Sequence, residues 1–376
     1  GSSHPPGPCL LRCCWQGLHT PCMGQAVGRA ISISDWVFPE FPASYDASHK
    51  LLVHLPSEVG VEIPAMLVAP LAPRHELGFM ATSCVIYFHA NACDIGQCVE
   101  DMLTFRDGAL DGDAVVLCPE YPGYGLLCAY EPSVSGINKI AQAAWRYCLE
   151  ELGFSAEQVM LFGRSIGTGP ATALAHSVAL RGAEARPVER GSNADRAALC
   201  TGPGSEPQLQ AARSLGGLVL LAPFTSIKAV VEHHVPSRVL ASLVGPMWEV
   251  LELVTDASMV DVPLCVIHPK DDKVVPSSQG QAVFEGARCR AKLGVWLCNA
   301  GHNLWLTEEQ LGLTRRFLQR LTRHARRARR RRPGARDSSQ GAVPVASEAE
   351  ECWAVADELM QLGAAQRVEE QIWMSL

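Results

Sequence analysis

Val159-Met-Leu-Phe-Gly-Arg-Ser-Ile-Gly167 is the stretch that decides the fold. Val159–Phe162 is apolar at successive positions, so the strand it predicts is buried on both faces. Gly163-Arg164-Ser165-Ile166-Gly167 follows directly and reads G-x-S-x-G. After a strand and before a helix, that pattern makes a sharp turn that pushes the serine hydroxyl out beyond the sheet. The Ile166 amide then lies at a helix N-terminus, where it can stabilise a developing oxyanion. By itself the pattern also fits a Gly-rich structural turn.

Outward from this stretch, similar apolar runs recur at Cys84–Phe88, Ala114–Cys118, Gly217–Leu221, Leu264–Ile267 and Gly294–Cys298. Leu51–Leu55 and Val61–Ala69 read as an opening pair of strands. Helix-period segments lie between the runs. Ile137, Ile140, Ala141, Ala144, Trp145 and Cys148 recur at spacings of three and four. Further helical segments are expected near 95–106, 167–180, 277–287 and 307–321. Strand and helix in alternation predict an α/β domain over about 48–322, with a mostly parallel sheet and helices on both faces. In such a sheet the site lies at the carboxyl ends of the strands.

The loops after those strands carry the chemistry. His268-Pro-Lys-Asp-Asp-Lys-Val-Val-Pro276 follows one run and Asn299-Ala-Gly-His-Asn303 follows the next. The chain order is then Ser165, an acid, His302. Asp271 competes with Asp272 for the acid, and the spacing before Val274-Val275 favours Asp272. A serine hydroxyl is a weak nucleophile at neutral pH and needs a base to take its proton. His302 would be that base, and Asp272 would hold its tautomer. His89-Ala-Asn-Ala92 follows the run ending at Phe88, and Asn91 should supply a second oxyanion amide beside that of Ile166. His89 reads as a loop-stabilising residue rather than a base. Pro119-Glu-Tyr-Pro-Gly-Tyr-Gly125 fixes a neighbouring loop, its tyrosines reading as packing. This chemistry needs no metal and no organic cofactor.

Composition sets the frame. The 376 residues are 48% hydrophobic and 19% charged, which excludes disorder over the whole length. No apolar run reaches the roughly 18 residues of a membrane span. The net charge of -7 averages two unlike parts. Between Arg315 and Arg336 lie 11 arginines and no acid, leaving 21 basic against 39 acidic residues elsewhere. An acidic body would not attract nucleic acid. The 15 cysteines are an odd number, many inside apolar runs, and read as reduced thiols in a cytoplasmic protein.

The ends read differently from the body. Residues 1–47 form an N-terminal segment expected to be partly disordered. In it Cys9, Cys13 and Cys14, with Cys22 nearby, are candidates for S-acylation; incidental cysteines in a tail are the plainer reading. Residues 181–214 lack a hydrophobic period and predict a flexible insertion. Residues 225–257 suggest a short cap, with ordinary helix core as the alternative. Residues 323–346 form a basic linker, which could assist on anionic lipid. A C-terminal amphipathic helix is expected over 347–376, starting with the capping pair Ser347 and Glu350.

Over 48–322 these motifs resemble the α/β-hydrolase superfamily. Within it they are most similar to the branch called α/β-hydrolase domain-containing protein 17, membrane-tethered serine hydrolases that remove palmitoyl groups from proteins. Tyr87–Gly96 looks like that branch's oxyanion loop, Tyr121–Gly125 like its Tyr-Ser-Gly-Tyr-Gly loop and Leu161–Thr168 like its serine turn. Ala222–Ser226 resembles a Ser-Pro-Leu-Thr-Ser segment, and Gly301–Asn303 resembles the histidine loop. Ala90 stands where the branch has Gly, Arg164 where it has Gln, and Pro269-Lys270 where it has Gly-Thr. The resemblance implies an α/β-hydrolase fold with an eight-stranded sheet, and catalytic roles for Ser165, Asp272 and His302. It implies an acylated protein as substrate and a peripheral hold on the cytoplasmic face of membranes. A small acyl ester is the alternative substrate, giving a carboxylesterase or lipid esterase. A non-catalytic interaction protein is the other alternative.

Overall fold

The structure is a computed structural model. It describes residues 37–39, 41–57, 62–71, 83–110, 112, 114–184, 215–235, 244–303 and 371–375. Nine strands form one sheet: β1 (Leu52–Leu55), β2 (Ile63–Val68), β3 (Ser83–Phe88), β4 (Ala114–Pro119), β5 (Val159–Arg164), β6 (Gly217–Leu221), β7 (Leu264–Pro269), β8 (Lys292–Leu297) and β9 (Gln371–Ser375). Their spatial order is β1-β2-β4-β3-β5-β6-β7-β8-β9. From β4 through β8 every pairing is parallel, and β1, β2 and β9 run antiparallel to their neighbours.

From β1 to β8 the sheet is buried on both faces because neighbouring residues of a strand feed two different cores. Ile86, Phe88, Leu161, Leu218, Leu220, Leu264 and Val266 lie in one. Val85, Tyr87, Phe162, Val219, Leu221, Cys265 and Ile267 lie in the other. Helix α1 (Val99–Leu110) covers the second core with Met102 and Phe105. Helices α2 (Val134–Arg146) and α3 (Thr168–Glu184) cover the first. The expected stripe of α2 is its buried face, and the Ser133 hydroxyl caps its start by accepting from the Gly136 amide at 3.0 Å. Helices α4 (Ile227–His234), α5 (Val250–Thr255) and α6 (Ser277–Gly286) complete the described α-helices.

Several expected boundaries shift. The sheet has a ninth strand, because residues 371–375, expected within a helix, pair with the free edge of β8. Ile372 and Trp373 suit a strand, and an open edge offers unpaired backbone groups. Helix α3 runs to Glu184, past the expected start of the insertion at 181. The domain begins before residue 48. Val37 and Phe38 are buried in the first core, and Phe41–Pro42 pairs with Tyr124–Gly125. Ser44 and Tyr45 hydrogen-bond the buried carboxylates of Asp94 and Glu120.

In the expected cap, Trp248 is buried. Its indole donates to Asn138 Oδ1 at 2.9 Å, meets Phe38 edge-on and packs against Gly169 at the start of α3. Val244, Trp248, Val250 and Val254 are therefore core, as the alternative reading has it, and residues 236–243 of the segment lie outside the described residues. The N-terminal cysteines, the helix near 307–321, the arginine run and residues 347–370 lie outside the described residues, as does most of the insertion. Among the described residues every cysteine is a free thiol, and no helix is long and apolar enough to cross a membrane.

Candidate active site

The strand order positions the site. Strand β3 lies between β4 and β5, so the chain leaves β3 and β5 side by side at their carboxyl ends, with Phe88 opposite Gly163. The loop starting at His89 thus adjoins the turn holding Ser165.

That turn is strained and crowded. Ser165 has φ +52°, a left-handed conformation that a non-glycine residue adopts at a cost. The turn is locked by the Thr168 hydroxyl, which donates to Ser165 O at 2.7 Å. Gly163 and Gly167 are required by close approach. A Cβ on Gly163 would lie 2.5 Å from Gly167 O, and one on Gly167 would lie 2.1 Å from Phe88 O. Both obstacles are backbone and cannot swing aside. Gly167→Ala should therefore lift the turn off β3, lowering kcat/KM by about 100-fold or more and stability by about 1–3 kcal/mol. Steady-state kinetics and denaturant unfolding check this; an alanine variant with unchanged activity would contradict the packing.

The three residues expected from the strand-end loops come together. His302 Nε2 is 2.9 Å from Ser165 Oγ, and His302 Nδ1 is 2.7 Å from Asp272 Oδ2. The other carboxylate oxygen, Oδ1, accepts the amides of Val274 and Val275, each at 2.8 Å. Of the two candidate acids, Asp272 is buried and Asp271 is exposed. Burial alone would raise the Asp272 pKa; hydrogen bonds from His268, His302 and the Val275 amide win and hold it well below the usual carboxylate range. Ser165 is 9% exposed, and its histidine is less buried than its acid.

His268 was not singled out by sequence, because it reads as the first residue of the loop after the Leu264–Ile267 run, whereas β7 includes it. It is fully buried, with Nε2 at 2.9 Å from Val275 O and 3.5 Å from Asp272 Oδ2. It braces the acid loop from below. A Cβ on Gly280 would lie 2.2 Å from its ring, so this glycine makes room for it.

Of the expected oxyanion residues, Ile166 lies in the serine turn and Asn91 in the loop after β3 that adjoins it. Asn91 is fixed through its side chain: Nδ2 donates to Val37 O at 2.9 Å, and Oδ1 accepts from Ala92 N and from the Tyr124 hydroxyl. The Asn91 side chain is thus engaged, so any oxyanion contact from this residue would come from its backbone amide. Ala90 is not among the residues with positive φ, so alanine there costs no backbone strain. Ala92 carries the positive φ instead, at +52°.

His89, the first residue of this loop, is fully buried. It stacks on Tyr121 at 3.8 Å and meets Glu120 at 3.5 Å, while the Tyr121 hydroxyl donates to His89 O. Burial alone would lower its pKa, but Cys93 and Glu120 outweigh that and push it up to about 10. Glu120 is itself held by the Tyr45 hydroxyl and the amides of Ile95 and Tyr121. Arg164, the residue before Ser165, pairs with Asp101 of α1 at 3.1 Å. Burial raises the Asp101 pKa to about 6 despite the opposing arginine.

No family model matches the chain. Among curated proteins it is similar to mouse α/β-hydrolase domain-containing protein 17C, 27% identical over 261 residues, covering 66% of this chain and 64% of that protein. It is also similar to α/β-hydrolase domain-containing protein aho-3 of Caenorhabditis elegans, 27% identical over 223 residues, covering 58% of this chain and 52% of that one. The chain spans about two thirds or less of the length of the curated relatives it matches. Among solved structures, Est1E from Butyrivibrio proteoclasticus aligns over 72% of this chain and 98% of its own, at TM-score 0.48 and 11% identity. By its strand order and its curated relatives, the chain has the α/β-hydrolase fold.

Proposed function

We propose that this chain is a serine hydrolase that cleaves acyl thioesters of proteins, S-palmitoyl groups foremost. The observation that carries the reading is the continuous relay from Ser165 Oγ through His302 to the buried Asp272 carboxylate. Ser165 attacks the acyl carbonyl while His302 Nε2 takes its proton. Asp272 steadies the imidazolium and keeps Nδ1 protonated. The amides of Asn91 and Ile166 hold the oxyanion, each worth about 3 kcal/mol. Collapse expels the thiolate, which takes the proton from His302, and leaves an acyl group on Ser165. His302 then activates water to release the acid. The chemistry needs no cofactor.

The acyl-protein preference rests on resemblance to the domain-containing protein 17 branch, whose motifs recur here at the oxyanion loop, the serine turn and the histidine loop. The same resemblance makes Cys9, Cys13 and Cys14 an acylated tether, with the arginine run assisting on anionic lipid at the cytoplasmic face of a membrane. A substrate panel tests the preference. A palmitoylated peptide should be cleaved with kcat/KM about tenfold or more above that for short oxygen esters. The reverse ranking would make the chain a carboxylesterase of the same mechanism.

A further inference from the structure

We infer that His89, Cys93 and Cys98 form a binding site for one zinc ion at the oxyanion loop. The site is independent of the serine chemistry, and the ion takes no part in acyl transfer. The inference rests on ligand type, spacing and burial. Nδ1 of His89 and the two sulfurs lie within 4.8 Å of one another. Cys93 Sγ is 3.6 Å from His89 Nδ1 and 4.0 Å from Cys98 Sγ. Zn–S bonds of about 2.3 Å and Zn–N bonds of about 2.0 Å at tetrahedral angles separate ligands by about 3.8 Å for S–S and about 3.5 Å for S–N. Shifts of a few tenths of an ångström bring those two pairs into coordination, and the third, His89 Nδ1 to Cys98 Sγ, has to close by at most about 1.3 Å.

The surroundings fit an ion. His89 Nε2 is buried without a hydrogen bond and faces Glu120 Oε1 at 3.5 Å. Coordination at Nδ1 leaves the ring proton on Nε2, aimed at that carboxylate, the arrangement by which proteins orient and strengthen a histidine ligand. Nδ1 now lies 2.9 Å from Ala90 O and Cys93 Sγ 3.1 Å from it. Binding would release the Nδ1 proton and both thiol protons. Two thiolates balance the charge of Zn²⁺, so the buried centre is neutral with a neutral imidazole. Cys93 is only half-buried, which gives the ion a way in, whereas His89 and Cys98 are buried. The ligands bracket Asn91, so the ion would tie the start of the oxyanion loop to the residue just before α1.

The test uses the full chain, stripped of metal and reduced. Cobalt should bind with thiolate-to-cobalt charge-transfer and tetrahedral d–d absorption, and one equivalent of zinc should displace it. The double variant Cys93→Ser/Cys98→Ser should lose these bands. In the unsubstituted chain, zinc should slow alkylation of Cys93 at least tenfold, read by peptide mass spectrometry, and leave the exposed Cys128 unchanged. Alkylation of Cys93 indifferent to zinc would overturn the site without recourse to any variant. Bands that persist in the double variant would place the metal on other cysteines and overturn it equally.

Discussion

Ser165→Ala should abolish labelling by a fluorophosphonate probe and lower kcat for any acyl substrate by about 10³-fold to 10⁶-fold. The expectation follows from how the structure deploys this side chain. Its oxygen makes the 2.9 Å contact to His302 Nε2 and stands on a backbone held at φ +52°. Strain of this kind costs about 1–3 kcal/mol and persists only where the surroundings enforce it. Here Gly163, Gly167 and the Thr168 hydroxyl enforce it. Alanine keeps a Cβ in the same place, so the turn and fold should survive and thermal unfolding should change little. A folded, unlabelled, inactive variant therefore assigns the nucleophile. Labelling that survives would move the nucleophile elsewhere and remove the mechanism with it. The residual rate should stay above that of water alone, because the Asn91 and Ile166 amides remain.

The sequence made the sheet and the three strand-end loops legible for one physical reason. A strand covered on both faces has no polar position to spare, so its ends are marked by the first Gly, His, Asn or Asp that follows. Phe88 to His89 and Leu297 to the Asn299–His302 loop are such ends, and Gly163 marks the end of the apolar run one residue before β5 stops at Arg164. What stayed hidden depends on contacts distant in sequence. Ser44 reaches Asp94 and Tyr45 reaches Glu120, across 50 and 75 residues, and no local pattern marks either pair. His268 escaped because a histidine at the end of an apolar strand looks like the start of a loop. Only the folded chain sets its Nε2 between Val275 O and the Asp272 carboxylate. Trp248 suggested a cap by its apolar company. Its indole lies along α3 because Gly169 leaves the room. Strand β9 could not be read from Gln371–Ser375 alone, since its pairing depends on the free edge of β8.

Asp272→Asn should lower kcat by about 10⁴-fold while leaving the fold intact, and the reason lies in which oxygen does what. Oδ1 accepts two backbone amides, from Val274 and Val275, so an asparagine must keep its own oxygen there. Its NH₂ group then takes the place of Oδ2 and faces His302 Nδ1. Two donors cannot share that 2.7 Å contact, so the imidazole must carry its proton on Nε2. In that tautomer His302 cannot accept the Ser165 proton. The loss should fall on kcat with KM changed little, as fits a group that acts through another. Asp271→Asn, at an exposed position, should stay within a few-fold of the unsubstituted chain. Stability supplies an independent readout. Because the folded pKa of Asp272 is depressed, its carboxylate stabilises the fold at pH above about 4, and that contribution is lost as pH falls through the folded pKa. Asparagine has no such titration, so the stability gap between the two proteins should begin to narrow below about pH 4 and close only as pH falls through the folded pKa. Denaturant unfolding at a series of pH values measures the gap. An Asp272→Asn enzyme within tenfold of full activity, or a larger loss from Asp271→Asn, would show that the acid of the relay has been misassigned.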